Sequence, residues 1–300
     1  MLSTSSMPSI SSSPPQHHVL QVSCVQLHWA KDIEENLAKT LDYIGLARAE
    51  GSDVVLFPET SLTGYDFGYV AGLPPRAVRN ALRTVAKRAA ECSIYAIVGS
   101  LMKRRGDRYL NLAHVIGPDG RIFYEYAKVQ MAGADEHRYC RPGNKLALFK
   151  VNGCLCTMVI CRDGRHPELY RIPAMAGAKI LFHPSCSTES VEGLAWKRLS
   201  GRAQQPIGPT TFIYHCVANT VGQSRDGTQT SSGMSFIKDP TGLSLAEAGF
   251  YQEEMITARL NLDKATARYA MASLDHPRIL RTLWKQALRI ALKHKDDGAK

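Results

Sequence analysis

Three side chains that could act together in catalysis each follow a strand-like segment of the chain. Cys161, Glu59 and Lys128 come directly after segments 158–160, 56–58 and 124–127. Polar residues at the carboxyl ends of strands meet at one edge of an α/β protein, where ligands bind. A thiol, a carboxylate and an amine at the ends of three such strands could therefore converge on one spot, as the groups of a catalytic site do. These three residues therefore form one hypothesis for a catalytic site.

Each of the three residues also has an ordinary interpretation. Buried cysteines are usually inert, Glu59 could be a solvated loop residue, and Lys128 could be a surface lysine. A helix is expected to begin near Pro167, and its amino terminus would lower the pKa of a nearby thiol. Only the combination of the three strand ends favours catalysis.

Two other arrangements of cysteine and histidine are possible. Cys154, Cys156, Cys161 and His166 lie close in sequence, but they lack the paired spacing of structural zinc motifs, so we expect no metal and no cofactor. A papain-like pair would instead use a histidine as the base. The histidines available for that role are His166, His183 and His215.

A series of motifs, in order from about Val19 to about Leu260, resembles the nitrilase or carbon–nitrogen hydrolase superfamily, in its amidase or N-carbamoyl amidohydrolase-like branch. The matching positions are Phe57-Pro58-Glu59 with Gly64-Tyr65, Tyr126-Ala127-Lys128, Glu136 with Pro142-Gly143, 161–168, Trp196 with Arg202-Ala203, Asn219 with Gly222, and Asp239-Pro240 with Gly242. The sequence departs from the family pattern at Ala127, Cys140 and Arg162. These departures leave the triad of Glu59, Lys128 and Cys161 intact and affect the substrate pocket.

The resemblance implies a four-layer α-β-β-α sandwich and a role for each site residue. Glu59 would be the general base, Cys161 the nucleophile that forms a thioester, and Lys128, with the Arg162 N–H, the oxyanion donor. Glu136 would orient Lys128. The candidate substrate-binding residues are Tyr65, Arg162, Arg165, His183 and Trp196.

The implied reaction is cleavage of a non-peptide C–N bond in a linear amide or N-carbamoyl compound, with release of ammonia. An arginine at 162 or 165 could bind a substrate carboxylate in a bidentate contact, or pair with Asp163 or Glu168 instead. His183 could equally be structural, with its ring nitrogens bonded to the backbone. Nitrile hydrolysis and a non-catalytic, regulatory member of the fold remain the alternative functions.

The pattern of elements predicts one domain at 19–265, after a disordered Ser/Pro-rich tail at 1–18 and before an extension at 266–300 that could lie in a homodimer or larger homo-oligomer. A helix begins near Asp32, with Ile33, Leu37, Leu41 and Ile44 as its buried face. Strands are predicted at 20–26, 53–57, 94–98, 112–116, 121–126, 155–160, 179–182, 212–218, 233–237 and 255–260, and further helices at 78–89, 167–177, 194–204 and 277–293.

Composition and charge restrict the partners. The 300 residues carry a formal net charge of +10, but the basic residues are scattered, so we expect a solvated basic surface and no nucleic acid. No apolar run reaches about 18 residues, so no membrane-spanning helix is expected. Eight cysteines without a recognisable secretory signal predict reduced thiols in the cytoplasm.

Overall fold

Two β-sheets packed face to face form the centre of the protein. The computed structural model describes residues 18–28, 32–104, 106–190, 192–194, 207–224, 227–275 and 279–297. Its strands are β1 Val19–His28, β2 Val54–Leu56, β3 Tyr95–Lys103, β4 Tyr109–Ile116, β5 Ile122–Ala127, β6 Phe149–Val151, β7 Cys154–Met158, β8 Ile180–Pro184, β9 Thr188–Glu189, β10 Tyr214–Ala218, β11 Thr220–Gln223, β12 Thr230–Ser232, β13 Phe236–Lys238, β14 Ser244–Glu247 and β15 Glu254–Asn261.

Helices in the described ranges include α1 Ile33–Ala49, α2 Phe67–Gly72, α3 Ala77–Glu91, α4 Gly133–Tyr139, α5 Glu168–Met175, α6 Ile207–Thr211, α7 Arg268–Met271 and α8 Trp284–Asp297. Of these, α1 and α3 cover the outer face of one sheet, and α5, α6 and α7 cover that of the other. Short 3₁₀ segments lie at Cys161–Arg165, Leu262–Lys264 and Ala272–Leu274, and a π-helical turn at Ile279–Leu283 precedes α8. No helix in the described ranges is both long and apolar enough to cross a membrane.

The two sheets have parallel centres. In the first sheet the described strands follow the order β5-β4-β3-β2-β1-β11-β12-β9, with β15 also paired to β1, and β1, β2 and β3 are parallel. In the second the order is β14-β13-β10-β8-β7-β6, with β7, β8 and β10 parallel. Because β4 is antiparallel to both β3 and β5, the carboxyl end of β5 lies at the same edge as that of β2.

Three apolar cores separate four layers. Val54 and Leu56 of β2 point into the core between the sheets, whereas Val55 points into the core beneath α1 and α3. A third core packs α5, α6 and α7 on the second sheet. The predicted α-β-β-α sandwich is confirmed, and strands buried on both faces explain the continuous apolar runs from which they were predicted.

Most of the predicted elements are present. The strand predicted at 233–237 begins only at Phe236, because Gly233 and Met234 have positive φ, and the helices also need corrections. In α1 the buried residues are Ile33, Asn36, Thr40, Ile44 and Ala47, so the predicted face is displaced and Leu37 and Leu41 are only half-buried. The short helices α2 and α4 were not predicted. The helix predicted at 194–204 lies, apart from Leu194, outside the described residues.

Candidate active site

The turn after β2 places Glu59 at the carboxyl edge of the first sheet. Thr60 adopts a left-handed backbone conformation with φ of 53°, which turns the chain sharply after the strand. Gly99 of β3 lies directly against this turn, and a Cβ at that position would overlap the backbone N of Thr60. The glycine therefore allows β3 to support the backbone that carries Glu59.

The turn after β5 places Lys128 at the same edge. Its backbone N–H donates to the carbonyl of Asn111 on β4 (2.9 Å), and its carbonyl accepts from the N–H of Gly143 (2.7 Å). A Cβ on Gly143 would overlap the carbonyl of Ala127. The Pro142-Gly143 turn thus fixes the backbone on both sides of the lysine.

The segment after β7 places Cys161 at the edge of the second sheet. Cys161 has φ of 46°, a left-handed conformation that is strained for a residue with a side chain. It begins the 3₁₀ segment, so the first N–H groups of this turn have no partner within the helix. The N–H of Asp163 already donates to the carbonyl of Ile160 (3.0 Å), which leaves the N–H groups before it as the candidates for binding an anion.

Asp163 ties the turn at Cys161 to the turn at Lys128. Its buried carboxylate accepts the backbone N–H groups of Ile160 (3.1 Å), Val129 (3.1 Å) and Gln130 (2.6 Å), and the hydroxyl of Tyr126 (2.9 Å). The possible ion pair of Asp163 with Arg162 or Arg165 is therefore replaced by these contacts. One carboxylate joins the carboxyl edges of two different sheets.

A buried ammonium bridges two buried carboxylates at this junction. Lys128 Nζ donates to Glu59 Oε1 (2.7 Å) and to Glu136 (3.1 Å to Oε1 and 2.9 Å to Oε2). All three side chains are at most 2% exposed. Glu136 Oε2 also accepts the N–H of Ala132 (2.6 Å). One positive and two negative charges leave the cluster with a net charge of −1 when all three groups are ionised.

This environment sets the protonation of the cluster. Burial raises the pKa of Glu59 above its ordinary value, although Lys128 opposes the shift. Burial alone would lower the pKa of Lys128, but the charges of Glu59, Cys161 and Glu136 raise it, so the side chain is an ammonium at neutral pH. The cluster therefore presents a permanent positive charge beside a carboxylate that is more basic than usual.

Cys161 lies next to this cluster. Its Sγ is 3.9 Å from the carbonyl oxygen of Cys186, whose N–H donates to Glu59 Oε2 (2.9 Å). Burial and the charge of Glu59 raise the pKa of the Cys161 thiol to about 11. The expectation that a helix terminus lowers this pKa is wrong for the resting protein, because burial and a neighbouring carboxylate outweigh it. The thiol is therefore protonated at neutral pH, so a nucleophilic role would require a base.

A cavity of about 840 Å³ opens above the thiol, a size suited to a small-molecule substrate. Tyr65, Cys161, Arg162, Arg165 and His183 line it, together with Cys186. Four of the five predicted substrate-binding residues therefore face this space, and Trp196 lies outside the described residues. The ring of Tyr65 also covers Lys128, whose Nζ is 5.9 Å from the ring centroid.

His183 supports the backbone of Cys161. Its Nε2 lies 2.9 Å from the carbonyl oxygen of Cys161, and its Nδ1 lies 3.1 Å from His215 Nε2. Burial lowers the pKa of His183 to about 4 and that of His215 well below its usual range, so both rings are neutral at pH 7. Since a carbonyl only accepts, His183 donates from Nε2 and accepts at Nδ1. Both ring nitrogens are occupied, which favours the structural interpretation of His183 over a Cys–His pair.

The sequence interpretation missed two residues of this site. Asn111 donates to both Glu59 and Glu136, but it lies within β4 and not after a strand end. Cys186 follows β8 at Pro184-Ser185-Cys186, so the strand-end rule that found Cys161 could have found it.

Comparison with known proteins identifies the family. A profile described as carbon–nitrogen hydrolase matches residues 21–269, most of the chain. The chain belongs to the carbon–nitrogen hydrolase family. Among curated relatives, this hydrolase is 26% identical over 253 residues to the omega-amidase NIT2 of Danio rerio. The aligned region covers 81% of this chain and 88% of the relative. The hydrolase is also 27% identical over 245 residues to the 2-oxoglutaramate amidase of Bacillus subtilis (81% and 92%).

Solved structures share the fold of this carbon–nitrogen hydrolase. A cysteine-to-alanine mutant of the Nesterenkonia AN1 amidase, from the nitrilase superfamily, superposes with a TM-score of 0.73 at 22% identity, covering 90% of this chain and 98% of the other. A double mutant of the same amidase in complex with acrylamide gives a TM-score of 0.74 at 21% identity (91% and 100%).

Proposed function

We propose that this carbon–nitrogen hydrolase is a cysteine-dependent amidase with a Glu59–Lys128–Cys161 triad and Glu136 as the orienting carboxylate. The observation that carries the proposal is the buried Glu59–Lys128–Glu136 bridge, whose Glu59 is linked through the backbone of Cys186 to the thiol of Cys161. Two carboxylates and an ammonium are costly to bury, so their placement beside a cavity favours a chemical role.

The first half-reaction transfers one proton and forms one bond. Glu59 takes the S–H proton of Cys161 as the sulfur attacks the substrate carbonyl carbon. The C–N bond then breaks, and Glu59 returns the proton to the leaving nitrogen, which departs as ammonia. The raised pKa of Glu59 suits it to both steps, because a base near the working pH can also act as an acid.

The oxyanion of this step needs donors that are already in place. Lys128 has three N–H bonds, and when each carboxylate accepts one, the third remains for the oxyanion. The Arg162 N–H in the strained first turn is the second donor. Each well-placed donor contributes about 3 kcal/mol to such a step. In the second half-reaction Glu59 activates water, which releases the acyl group from sulfur as a carboxylic acid.

The substrate class we propose is an amide or N-carbamoyl compound that carries a carboxylate. Arg162 and Arg165 line the cavity with exposed side chains, and neither forms an ion pair with an acidic residue in the described part of the chain. An unpaired guanidinium beside the cavity is suited to a bidentate carboxylate contact. The names of the relatives, omega-amidase and 2-oxoglutaramate amidase, support an amide of this kind.

Substituting both arginines tests the substrate class. The Arg162→Gln/Arg165→Gln variant is expected to lower kcat/KM for a carboxylate-bearing amide by about 10- to 100-fold, since a charge-assisted hydrogen bond contributes roughly 1.5–3 kcal/mol. For a neutral amide of equal length we expect less than a ~3-fold change. Ammonia release over a panel of amide, carbamoyl and nitrile substrates is the measurement.

Arg121→Gln is the matched control, because Arg121 is an exposed arginine in the turn before β5. An equal loss on charged and neutral amides would contradict a carboxylate site. Preferential turnover of nitriles would replace the amidase assignment with the nitrilase alternative.

We also propose that the C-terminal extension contacts a second copy of the chain. Trp284, Leu288 and Leu292 recur every four residues along α8 and are each more than half exposed (52–54%). A regular apolar stripe facing solvent is typical of an interface, whereas packing on its own domain would have buried it.

Breaking this stripe tests the assembly. Trp284→Glu/Leu288→Glu is expected to convert a dimer or larger oligomer into a monomer in sedimentation equilibrium, because each charge would be buried in the interface. Lys285→Glu adds a charge change on the same exposed helix outside the stripe and should leave the mass unchanged. A monomeric wild-type chain at micromolar concentration would rule the interface out.

A further inference from the structure

Asn111 is the residue on which both active-site carboxylates converge. Its Nδ2 donates to Glu59 Oε1 (2.7 Å) and to Glu136 Oε1 (2.8 Å), and its side chain is 1% exposed. An amide nitrogen carries two N–H bonds, so each carboxylate receives one. The backbone carbonyl of Asn111 accepts the backbone N–H of Lys128. A single residue therefore contacts all three charged members of the cluster.

The orientation of the Asn111 amide is fixed by its neighbours. Ionised carboxylates only accept hydrogen bonds, so the NH₂ group and not the carbonyl must face them. The amide oxygen is then buried, and among the described residues it has no hydrogen-bond partner. Leaving a buried carbonyl unpaired costs free energy, and such groups are rare enough in native proteins to require an explanation.

The contacts of Glu59 supply the explanation. Oε1 of Glu59 accepts both Lys128 Nζ and Asn111 Nδ2 at 2.7 Å, which occupies its two lone pairs. Within the described part of the chain, Oε2 accepts the Cys186 N–H at 2.9 Å and no other hydrogen bond, so it keeps one lone pair. The carbonyl of the same Cys186 lies 3.9 Å from the Cys161 sulfur. The two oxygens of Glu59 are therefore inequivalent, and the available lone pair belongs to Oε2, the oxygen whose partner Cys186 also lies beside the thiol.

We propose that Asn111 is a positioning residue for the hydrolase reaction: it occupies Glu59 Oε1 and so reserves Oε2 as the atom that takes the proton from Cys161. The inference rests on the proposed function, because it requires Glu59 to be the base. It also gives Asn111 a second task, since its two N–H bonds hold the carboxylates of Glu59 and Glu136 apart around the Lys128 ammonium.

The pH dependence of the reaction should reveal this role. The groups that face Glu59 are the charges of Lys128 and Glu136 and the neutral side chains of Tyr65, Cys140, Cys161 and Cys186. Asn111 stabilises the ionised form of Glu59 by donating to it, and so lowers its pKa. Removing that donor makes Glu59 bind its proton at higher pH, which moves the acid limb of kcat/KM upward.

The test compares Asn111→Leu, which removes the donors without adding charge, with Asn111→Asp, which adds a third carboxylate. For Asn111→Leu we expect the acid limb to rise by about one pH unit and the plateau of kcat/KM to fall at least ~10-fold. Asn111→Asp should give the larger shift in the same direction. Asn111→Ser, which is smaller and retains a hydroxyl donor, should lie between wild type and Asn111→Leu.

Ser23→Ala is the control for loss of a buried hydrogen bond away from the site, where Ser23 Oγ contacts Ser52 Oγ at 2.7 Å. It should lower thermal stability without moving the pH profile. An unshifted acid limb in both Asn111→Leu and Asn111→Ser would overturn the role of Asn111. The proposed function has a separate test in the same samples, because it fails when turnover of an amide leaves no acyl adduct on Cys161 of the wild type, whatever the pH profile of the Asn111 variants.

Discussion

Replacing Cys161 by alanine is expected to lower kcat/KM by about 10⁴-fold or more, to the background of uncatalysed hydrolysis. The sulfur forms the bond that replaces the scissile C–N bond, and no other described thiol is placed to do this. Cys186 also lines the cavity, but its Sγ accepts from the Thr220 hydroxyl (3.5 Å), and burial raises its pKa well above the ordinary value. Of the described thiols, Cys161 combines a place on the cavity wall with a position within the electrostatic reach of Glu59 and Lys128, and it is only half-buried, whereas Cys186 is buried.

Intact-protein mass spectrometry measures this prediction directly. Wild-type protein quenched during turnover should carry a single acyl adduct, which peptide mapping places on Cys161, and Cys161→Ala should carry none. Cys92→Ala is the matched control, since Cys92 is a half-exposed thiol at the end of α3, and it should leave both adduct and turnover unchanged. An adduct that persists in Cys161→Ala would assign the nucleophile elsewhere.

Much of the site could be predicted because three of its residues follow strands. Lys128 follows β5, a half-exposed edge strand, whereas Glu59 and Cys161 follow β2 and β7, which are buried on both faces. Such strands appear in the sequence as short apolar runs, and the polar residue that ends a run marks the sheet edge. The turns at Glu59, Lys128 and Cys161 were therefore visible, and the same rule applied after β8 would have added Cys186. Glu136, on the short helix α4, was found only through the family resemblance.

Other features depend on pairings between distant segments and could not be predicted from local pattern. Asn111 lies inside the apolar strand β4, and its function follows only from the register that aligns it beside Lys128 and opposite Leu101. Asp163 accepts the N–H groups of Gln130 and Val129, which lie 33 and 34 residues earlier in the chain. The residues next to Asp163 in sequence therefore could not indicate these partners. In α1, Asn36 and Thr40 can be buried because the side chain of each donates a hydrogen bond to a backbone carbonyl. A pattern of apolar residues does not reveal such hydrogen bonds.

The substitution Glu59→Gln is expected to change two measurements in opposite directions. Turnover of the amide should fall by about 10³-fold, because glutamine keeps the size of the side chain but cannot take a proton from the thiol. The pKa of Cys161 should fall at the same time. Burial and the charge of Glu59 raise that pKa in the native protein; without the charge, burial still raises it, but the Lys128 ammonium lowers it with no Glu59 carboxylate to oppose it.

The pH dependence of Cys161 alkylation by iodoacetamide separates these effects. In wild type the thiolate appears only as the pH approaches about 11. In Glu59→Gln the midpoint should move to lower pH, so the variant would be more reactive towards the alkylating agent at neutral pH while being almost inactive towards amides. A misfolded or displaced loop would lower both readings, so opposite signs distinguish loss of the base from loss of structure.

Glu125→Gln is the control for this substitution. Glu125 is a half-buried carboxylate of β5 that contacts His114 (2.8 Å) and Arg104 away from the cavity, so its change should alter neither measurement by more than ~3-fold. Turnover above about a tenth of wild type in Glu59→Gln would show that another group takes the proton. The bridge of Lys128 between two carboxylates would then have to be explained by stability alone, which is difficult since burying three charges costs more than packing apolar groups in the same volume.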